Sequence, residues 1–449
     1  MTVSLQPNGK NETIPTDMSA LSSQPYKGTR DYYPEDKKRQ NYIFSVWRNA
    51  VQRFGYEEYG APTIEPLEVY AAKSGQELAN EQTYTFTDRG GRVVAIRPEM
   101  TPSVSRMVAA RRQELAYPAR LFSIANFMRY ERPQRGRERE FWQLNVDIFG
   151  VDTMRADIEI LTIADTIMKD FGAKLDDYKI RINNRQLINY VMAGYFGLDE
   201  VQGQAMVKLL DRKDKITDQD FVDQATLIFD AASTNLFEEL NKLKALIAAT
   251  TIDELPEEIL ATQAATDLKQ LFDALAKAGV ETAVFDMTLM RGLDYYTGTV
   301  FEVFDTHPDN NRSLFGGGRY DGLVGLFGAE PISAVGMAPG GTMMENFLEV
   351  RGLLPAFTSS AAAYIVVIDG QNDAADSLAK FLREKDINVE VDITERKLDK
   401  QLKTAVKKAV PFMIFVGKNE VETGEFTLKN TVTGDEQKLN FEDLVDALR

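Results

Sequence analysis

Two strand-like stretches at 121–124 and 144–149 flank a charged stretch that contains Pro133 and Gly136 and has no helical period. That pattern reads as a long β-hairpin, which places an antiparallel strand pair inside any sheet the chain can form. Further strands are expected at 179–183, 283–290 and 299–304, and a shorter hairpin at 84–86 and 93–96 around the turn Asp88-Arg89-Gly90-Gly91. A helix from Pro34 carries Ile43, Val46, Trp47, Ala50, Val51 and Phe54 on one stripe and stops at Gly55. A second, over 154–171, presents Ile158, Leu161, Ala164, Ile167 and Met168 on one face, with Gly172 as its stop. Thr101 followed by Pro102 suits an N-cap and first turn, which leaves Glu99 just before a helix N-terminus. Runs of strands with helices placed around them, rather than strict alternation, give an α+β fold: an antiparallel sheet flanked by helices.

The chain has 449 residues and is long enough for several domains. Residues 1–25 are polar and without periodicity, and are expected to be a disordered tail. Residues 26–185 and 280–345 form the main strand-containing domain, interrupted at 186–279 by an Ala-, Leu-, Lys- and Glu-rich helical insertion. A linker at 346–361 leads to a small α/β domain at 362–449. No cysteine is present, which excludes disulfides, thiolate nucleophiles and cysteine metal sites and fits a reducing, cytoplasmic setting. The single histidine, His307, leaves no two-histidine metal motif, so no metal site is expected. The longest apolar runs fall far short of the roughly 20 residues a membrane helix needs, so no membrane partner is expected. Chemistry must therefore rest on carboxylates, arginines, lysines and tyrosines.

Three stretches carry candidate chemistry. Between Phe127 and Glu140 five arginines cluster in a chain whose net charge is −16. They are either a solvated loop of Arg–Glu pairs or a phosphate site, since guanidinium forks match phosphate oxygens bidentately. Arg291-Gly292-Leu293-Asp294-Tyr295-Tyr296 is either a structural ion pair with two half-buried rings or a pocket floor. Gly316-Gly317-Gly318-Arg319-Tyr320 is either a flexible turn or a place where backbone must come close to something. On the predicted helix near the C-terminus, Lys400, Lys403 and Lys407 share a face that reads as a solvated surface or as a phosphate-tracking one.

Taken together, Arg97-Pro98-Glu99-Met100-Thr101, the block from Phe127 to Gly150, the Arg291 to Tyr296 segment and Gly317-Gly318-Arg319-Tyr320-Asp321-Gly322 resemble histidyl-tRNA synthetases. Lys27-Gly28-Thr29-Arg30-Asp31-Tyr32 is similar to that family's N-terminal signature, and the likeness runs to the C-terminus, where 362–449 resembles an anticodon-binding domain. The resemblance implies a class II synthetase-like antiparallel sheet, a homodimer, and formation of histidyl-adenylate from L-histidine and ATP with Mg²⁺, followed by transfer to histidine tRNA. It implies Arg129 and Arg291 as catalytic cations on the α-phosphate. For histidine it implies Glu99, Thr101 and Gln143 at the α-ammonium, and Asp147 and Tyr296, with Tyr295 beside it, at the imidazole. For ATP it implies Glu131 and Arg137 besides the two cations, and Arg319, like Arg137, is a further candidate to hold the γ-phosphate. The loop residues Arg132, Gln134 and Arg135 would meet the tRNA acceptor stem.

The chain departs from the family pattern in three places: Asp147 where glutamate is common, Met100 where glycine is common, and Met343 where the third class II motif carries an ATP-gripping arginine. That last departure keeps a second reading open, a catalytically silent paralogue serving as the histidine-sensing regulatory subunit of ATP phosphoribosyltransferase.

Overall fold

The computed structural model describes residues 22–71, 82–134, 136–230, 235–290, 295–310 and 312–449. The expected tail therefore lies mostly outside the described residues, as do Arg135 and Arg291. The chain divides into two compact units, one up to Leu354 and one from Pro355.

An eight-stranded sheet organises the first unit, with strand order Glu57–Glu58, Ala119–Met128, Glu140–Phe149, Ala334–Met337, Ser313–Arg319, Thr299–Asp305, Tyr178–Asn184, Ala283–Phe285. The long hairpin pairs Ala119 with Phe149 through to Met128 with Glu140, all antiparallel. Only the two edge strands pair in parallel. Because successive strand residues face opposite sides, Leu144, Val146 and Ile148 enter the main core while Gln143, Asn145 and Asp147 face the other way. The helices Pro34–Gln52 and Arg155–Asp170 cover the core side with the stripes expected of them, Trp47, Val51, Leu161, Ala164, Ile167 and Met168 among them, and Ile160 and Ile163 are buried beside them.

Two local expectations are corrected. The strand foreseen at 283–290 stops at Phe285, because the Asp286 carboxylate accepts from the Thr288 N–H at 2.8 Å and from its hydroxyl, a turn that competes with strand pairing. The helix Thr101–Ala110 is capped by Met100, one residue earlier than the Thr-Pro signal placed it. Between Asn184 and Val280 the described residues are helical, with Leu209, Phe229, Leu243 and Leu268 in the core.

In the second unit a five-stranded mixed sheet runs in the order Val389–Val391, Ala363–Val367, Phe412–Val416, Phe426–Asn430, Glu436–Leu439. Helices Asn372–Glu384 and Phe441–Leu448 pack on it through Leu378, Leu382, Leu444 and Val445. No helix among the described residues is long and apolar enough to cross a membrane.

Candidate functional site

A cavity of about 540 Å³ opens over the face of the sheet that carries Gln143, Asn145 and Asp147. Its walls gather most of the residues singled out in the sequence: Glu99, Thr101, Arg129, Glu131, Arg137, Tyr295 and Tyr296. Residues nearly 200 positions apart meet here because the hairpin lies beside the Ala334–Met337 strand, with Asp147 opposite Gly336.

The loop before the helix Thr101–Ala110 is stitched to the hairpin by two arginines. Arg97 donates from Nε to the Asn126 carbonyl at 2.9 Å and from Nη1 to the Ala61 carbonyl at 2.8 Å. Arg129 donates from Nε to the Pro98 carbonyl at 2.9 Å, and its guanidinium lies 5.1 Å over the Phe141 ring. Glu99, 4% exposed, accepts from the Tyr295 hydroxyl at 3.2 Å. The cavity thus holds both a buried carboxylate and a guanidinium anchored through its Nε.

Asp147 is the deepest acid, at 3% exposure. Its Oδ1 accepts from the Tyr320 hydroxyl at 2.5 Å, while Oδ2 has no partner among the described residues. Burial pushes its pKa up to about 7, with the nearby Glu99 charge acting in the same direction and the Tyr320 hydrogen bond opposing both. Tyr320 in turn packs its ring against Tyr295 at 5.8 Å, and Tyr295 against Tyr296 at 4.9 Å. A carboxylate oxygen left for a donor, beside phenol rings inclined to one another by 57° and 65°, is a site for a planar ring that carries N–H groups.

The glycine run is neither turn nor loop. Gly316, Gly317 and Gly318 sit inside the strand Ser313–Arg319. A Cβ on Gly318 would stand 2.8 Å from Tyr296 Cδ1, one on Gly317 2.1 Å from the Gly336 carbonyl, and one on Gly336 2.1 Å from Asp147 Oδ1. These positions are stripped of side chains so that Asp147 and Tyr296 can lie flat on the sheet. Gly336→Ala is accordingly expected to cost about 1–3 kcal/mol through overpacking, and to lower the thermal unfolding midpoint. An unchanged midpoint would show that the Asp147 side chain can give way.

Arg319 is a correction. It does not line the cavity: it pairs with the buried Asp157 and donates to the Val151 and Thr153 carbonyls at 3.1 and 3.0 Å. Strand alternation sends it to the opposite side from Tyr320, which the sequence reading had passed over and which faces Asp147. Gln143 reaches the Ala338 carbonyl at 3.2 Å from the cavity wall. Arg132 and Gln134 are exposed and do not line the cavity; a short bridge from Gln134 to Arg137 closes the tip of their loop. Arg137, 59% exposed, faces Glu131 at 3.4 Å. Met343, at the start of the helix Gly341–Val350, also lines the cavity, and its Sδ lies where a Cβ on Gly136 would be 2.6 Å away.

Comparison with known proteins follows this geometry. A family model described as histidyl-tRNA synthetase matches residues 28–340, and one described as an anticodon binding domain matches residues 362–449. A histidine–tRNA ligase of Leptospira biflexa is 40% identical over 436 residues, covering 96% of this chain and 98% of that protein. One of Haloarcula marismortui is 37% identical over 414 residues, covering 91% and 94%. In fold, the crystal structure of histidyl-tRNA synthetase from Nostoc superposes with a TM-score of 0.80 at 22% identity, covering 96% of this chain and 99% of that one.

Proposed function

The chain belongs to the histidyl-tRNA synthetase family, and from that premise we propose how its own residues carry the reaction. The activity is that of a histidine–tRNA ligase, which activates L-histidine with ATP and passes the histidyl group to tRNA. Relatives of that name span both units, which favours this reading over the regulatory paralogue despite Met343.

Histidine enters with its α-ammonium toward Glu99, Thr101 and Gln143, where a buried carboxylate offers an ion pair. Its imidazole lies against Tyr296 and Tyr295, one N–H donated to Asp147 Oδ2. The observation that carries this is the Asp147 carboxylate itself, buried, anchored at one oxygen by Tyr320 and lacking a partner at the other. The α-carboxylate of the bound histidine then attacks the α-phosphorus of ATP, the substrate being the Mg²⁺ complex, and pyrophosphate leaves in line. Charge on the equatorial oxygens is met by fixed cations aimed in advance. Arg129 supplies one, Arg291 the second from outside the described residues, and Glu131 and Arg137 flank the nucleotide. Arg132, Gln134 and Arg135 lie on the loop that meets the acceptor stem, and the exposed Lys400, Lys403 and Lys407 track phosphates of the tRNA.

The working unit is a homodimer in the cytoplasm. The half-exposed Ile64, Phe86 and Val93 on the small sheet of Ile64–Pro66, Thr85–Thr87 and Val93–Ile96 give it an apolar surface to cover.

ATP–pyrophosphate exchange with each of the twenty amino acids, without tRNA, tests the activation step. Exchange with histidine alone is the expected result. No exchange with any amino acid, with histidine still bound, would return the weight to the silent paralogue.

A further inference from the structure

Arg139 ends the arginine-rich stretch, which the sequence leaves as either a solvated loop of Arg–Glu pairs or a phosphate site. The structure gives it other work. It is 8% exposed, and its Nε and Nη1 are engaged within the protein. Nε donates to the Glu131 carbonyl at 3.2 Å, and Nη1 to the Tyr26 hydroxyl at 3.0 Å and the Lys27 carbonyl at 3.4 Å. Its guanidinium lies 4.1 Å over the Tyr130 ring and 5.6 Å over that of Tyr26. Along the backbone, the Arg139 N–H donates to the Gly28 carbonyl at 2.7 Å, and its own carbonyl accepts from the Arg129 N–H at 2.8 Å. Gly28 has φ +86°, and a Cβ there would meet Arg139 Cγ at 2.8 Å and Pro133 Cγ at 2.9 Å. The segment around Gly28 is therefore pressed against the base of the hairpin loop.

Two residues beyond Gly28, the same segment is clipped a second time. Arg30 donates to Glu345 at 2.7 Å and stands 3.5 Å from Glu138, which itself accepts from the Thr342 hydroxyl at 3.0 Å. Glu345 and Thr342 belong to the helix Gly341–Val350, the one that carries Met343. The N-terminal segment thus spans from the hairpin base to that helix, with an arginine clip at each end.

We infer that residues 26–30 form a strap that fixes the phosphate-binding hairpin, and that Arg139 is a positioning residue for ATP rather than a contact to nucleic acid. The inference rests on the ligase reading only for the identity of the nucleotide. Met343 leaves the helix without a cation at the third-motif position, so beside Arg291 the phosphates depend on cations carried by the hairpin, Arg129 and Arg137. The backbone bond between the Arg139 carbonyl and the Arg129 N–H persists in any variant, whereas the side chain alone ties the Glu131 carbonyl to Tyr26 and Lys27 and so holds this stretch against the strap. A hairpin held only by its own loop would have to be ordered by ATP at the moment of binding, and that ordering would weaken the complex.

Titration calorimetry of the full chain, with MgATP and separately with histidine, tests this without requiring turnover. Arg139→Ala is expected to raise the Kd for MgATP about tenfold while leaving that for histidine within about twofold. Tyr26→Ala, a change at a half-exposed ring that the fold tolerates, should raise the MgATP Kd about threefold, and the double variant should be no weaker than Arg139→Ala alone, because both remove one clasp. Equal losses for MgATP and histidine would make Arg139 a general structural residue and overturn the inference. So would an unchanged MgATP Kd with weakened tRNA binding, or full additivity of the two substitutions. Absence of histidine-dependent exchange in the unsubstituted protein would count against the ligase reading and leave these binding comparisons intact.

Discussion

Arg129→Ala should abolish most of the activation step, lowering the rate of histidine-dependent ATP–pyrophosphate exchange by about 10³-fold or more. The side chain lines the cavity from the hairpin strand, its Nε engaged by the Pro98 carbonyl and its plane set over Phe141. Those two contacts fix the direction of the remaining guanidinium N–H groups before any substrate arrives, and a cation aimed in advance needs no reorganisation as charge develops on the phosphate. The loss should therefore fall on the rate more than on histidine affinity, since Glu99, Asp147 and the tyrosines are left in place. Arg129→Lys keeps the charge and loses the fork and the Pro98 anchor, so it should recover only a small part of the rate. Single-turnover adenylate formation checks both variants. A lysine variant near the unsubstituted rate would show that charge alone, without direction, is what Arg129 provides.

The features legible in the sequence were those fixed by local period and by residue chemistry. Alternation at 144–149 and the Pro- and Gly-bearing stretch before it pointed to the hairpin, and the hairpin carries Arg129, Glu131, Gln143 and Asp147 into one cavity. What was not legible depends on which strand lies alongside. The glycine run stood open between a turn and a close backbone approach because nothing in 316–318 itself states that Gly336 and Tyr296 press against it. Arg319 looked like a phosphate ligand because its partner, Asp157, belongs to a helix 162 positions earlier. Strand alternation alone could have separated Arg319 from Tyr320, and so have found the residue that holds Asp147. Arg139 was read by its charge, while its neighbours Tyr26 and Gly28 lie 113 positions from it in one case and on no predicted element in either. Charge marks where an ion can be held; only packing tells whether it already is.

Asp147→Asn should raise the Kd for histidine by about 100-fold at pH 8 and leave MgATP binding nearly unchanged. The carboxylate is presented by geometry that an amide also fits: Tyr320 holds one oxygen, and Gly336 leaves room for nothing larger behind it. What the amide cannot supply is charge opposite the imidazole N–H. The pH dependence separates this from a change of shape. With its pKa pushed to about 7 against roughly 3.9 for an unfolded aspartate, Asp147 holds its proton in the empty site at pH 6. Stability from that raised pKa is complete below about pH 4 and is lost as pH rises through 7, so the ligand-free protein should lose stability over this window relative to Asp147→Asn. Histidine binding, which uses the ionised form, has the opposite sense and releases the proton. The substrate's own titration is common to both proteins and cancels in their ratio. The Kd of Asp147→Asn divided by that of the unsubstituted protein should therefore grow about tenfold per pH unit up to 7 and then level off. A ratio that stays constant from pH 5.5 to 8.5 would mean that the carboxylate's charge has no part in choosing histidine, and that the buried Asp147–Tyr320 pair shapes the pocket and nothing more.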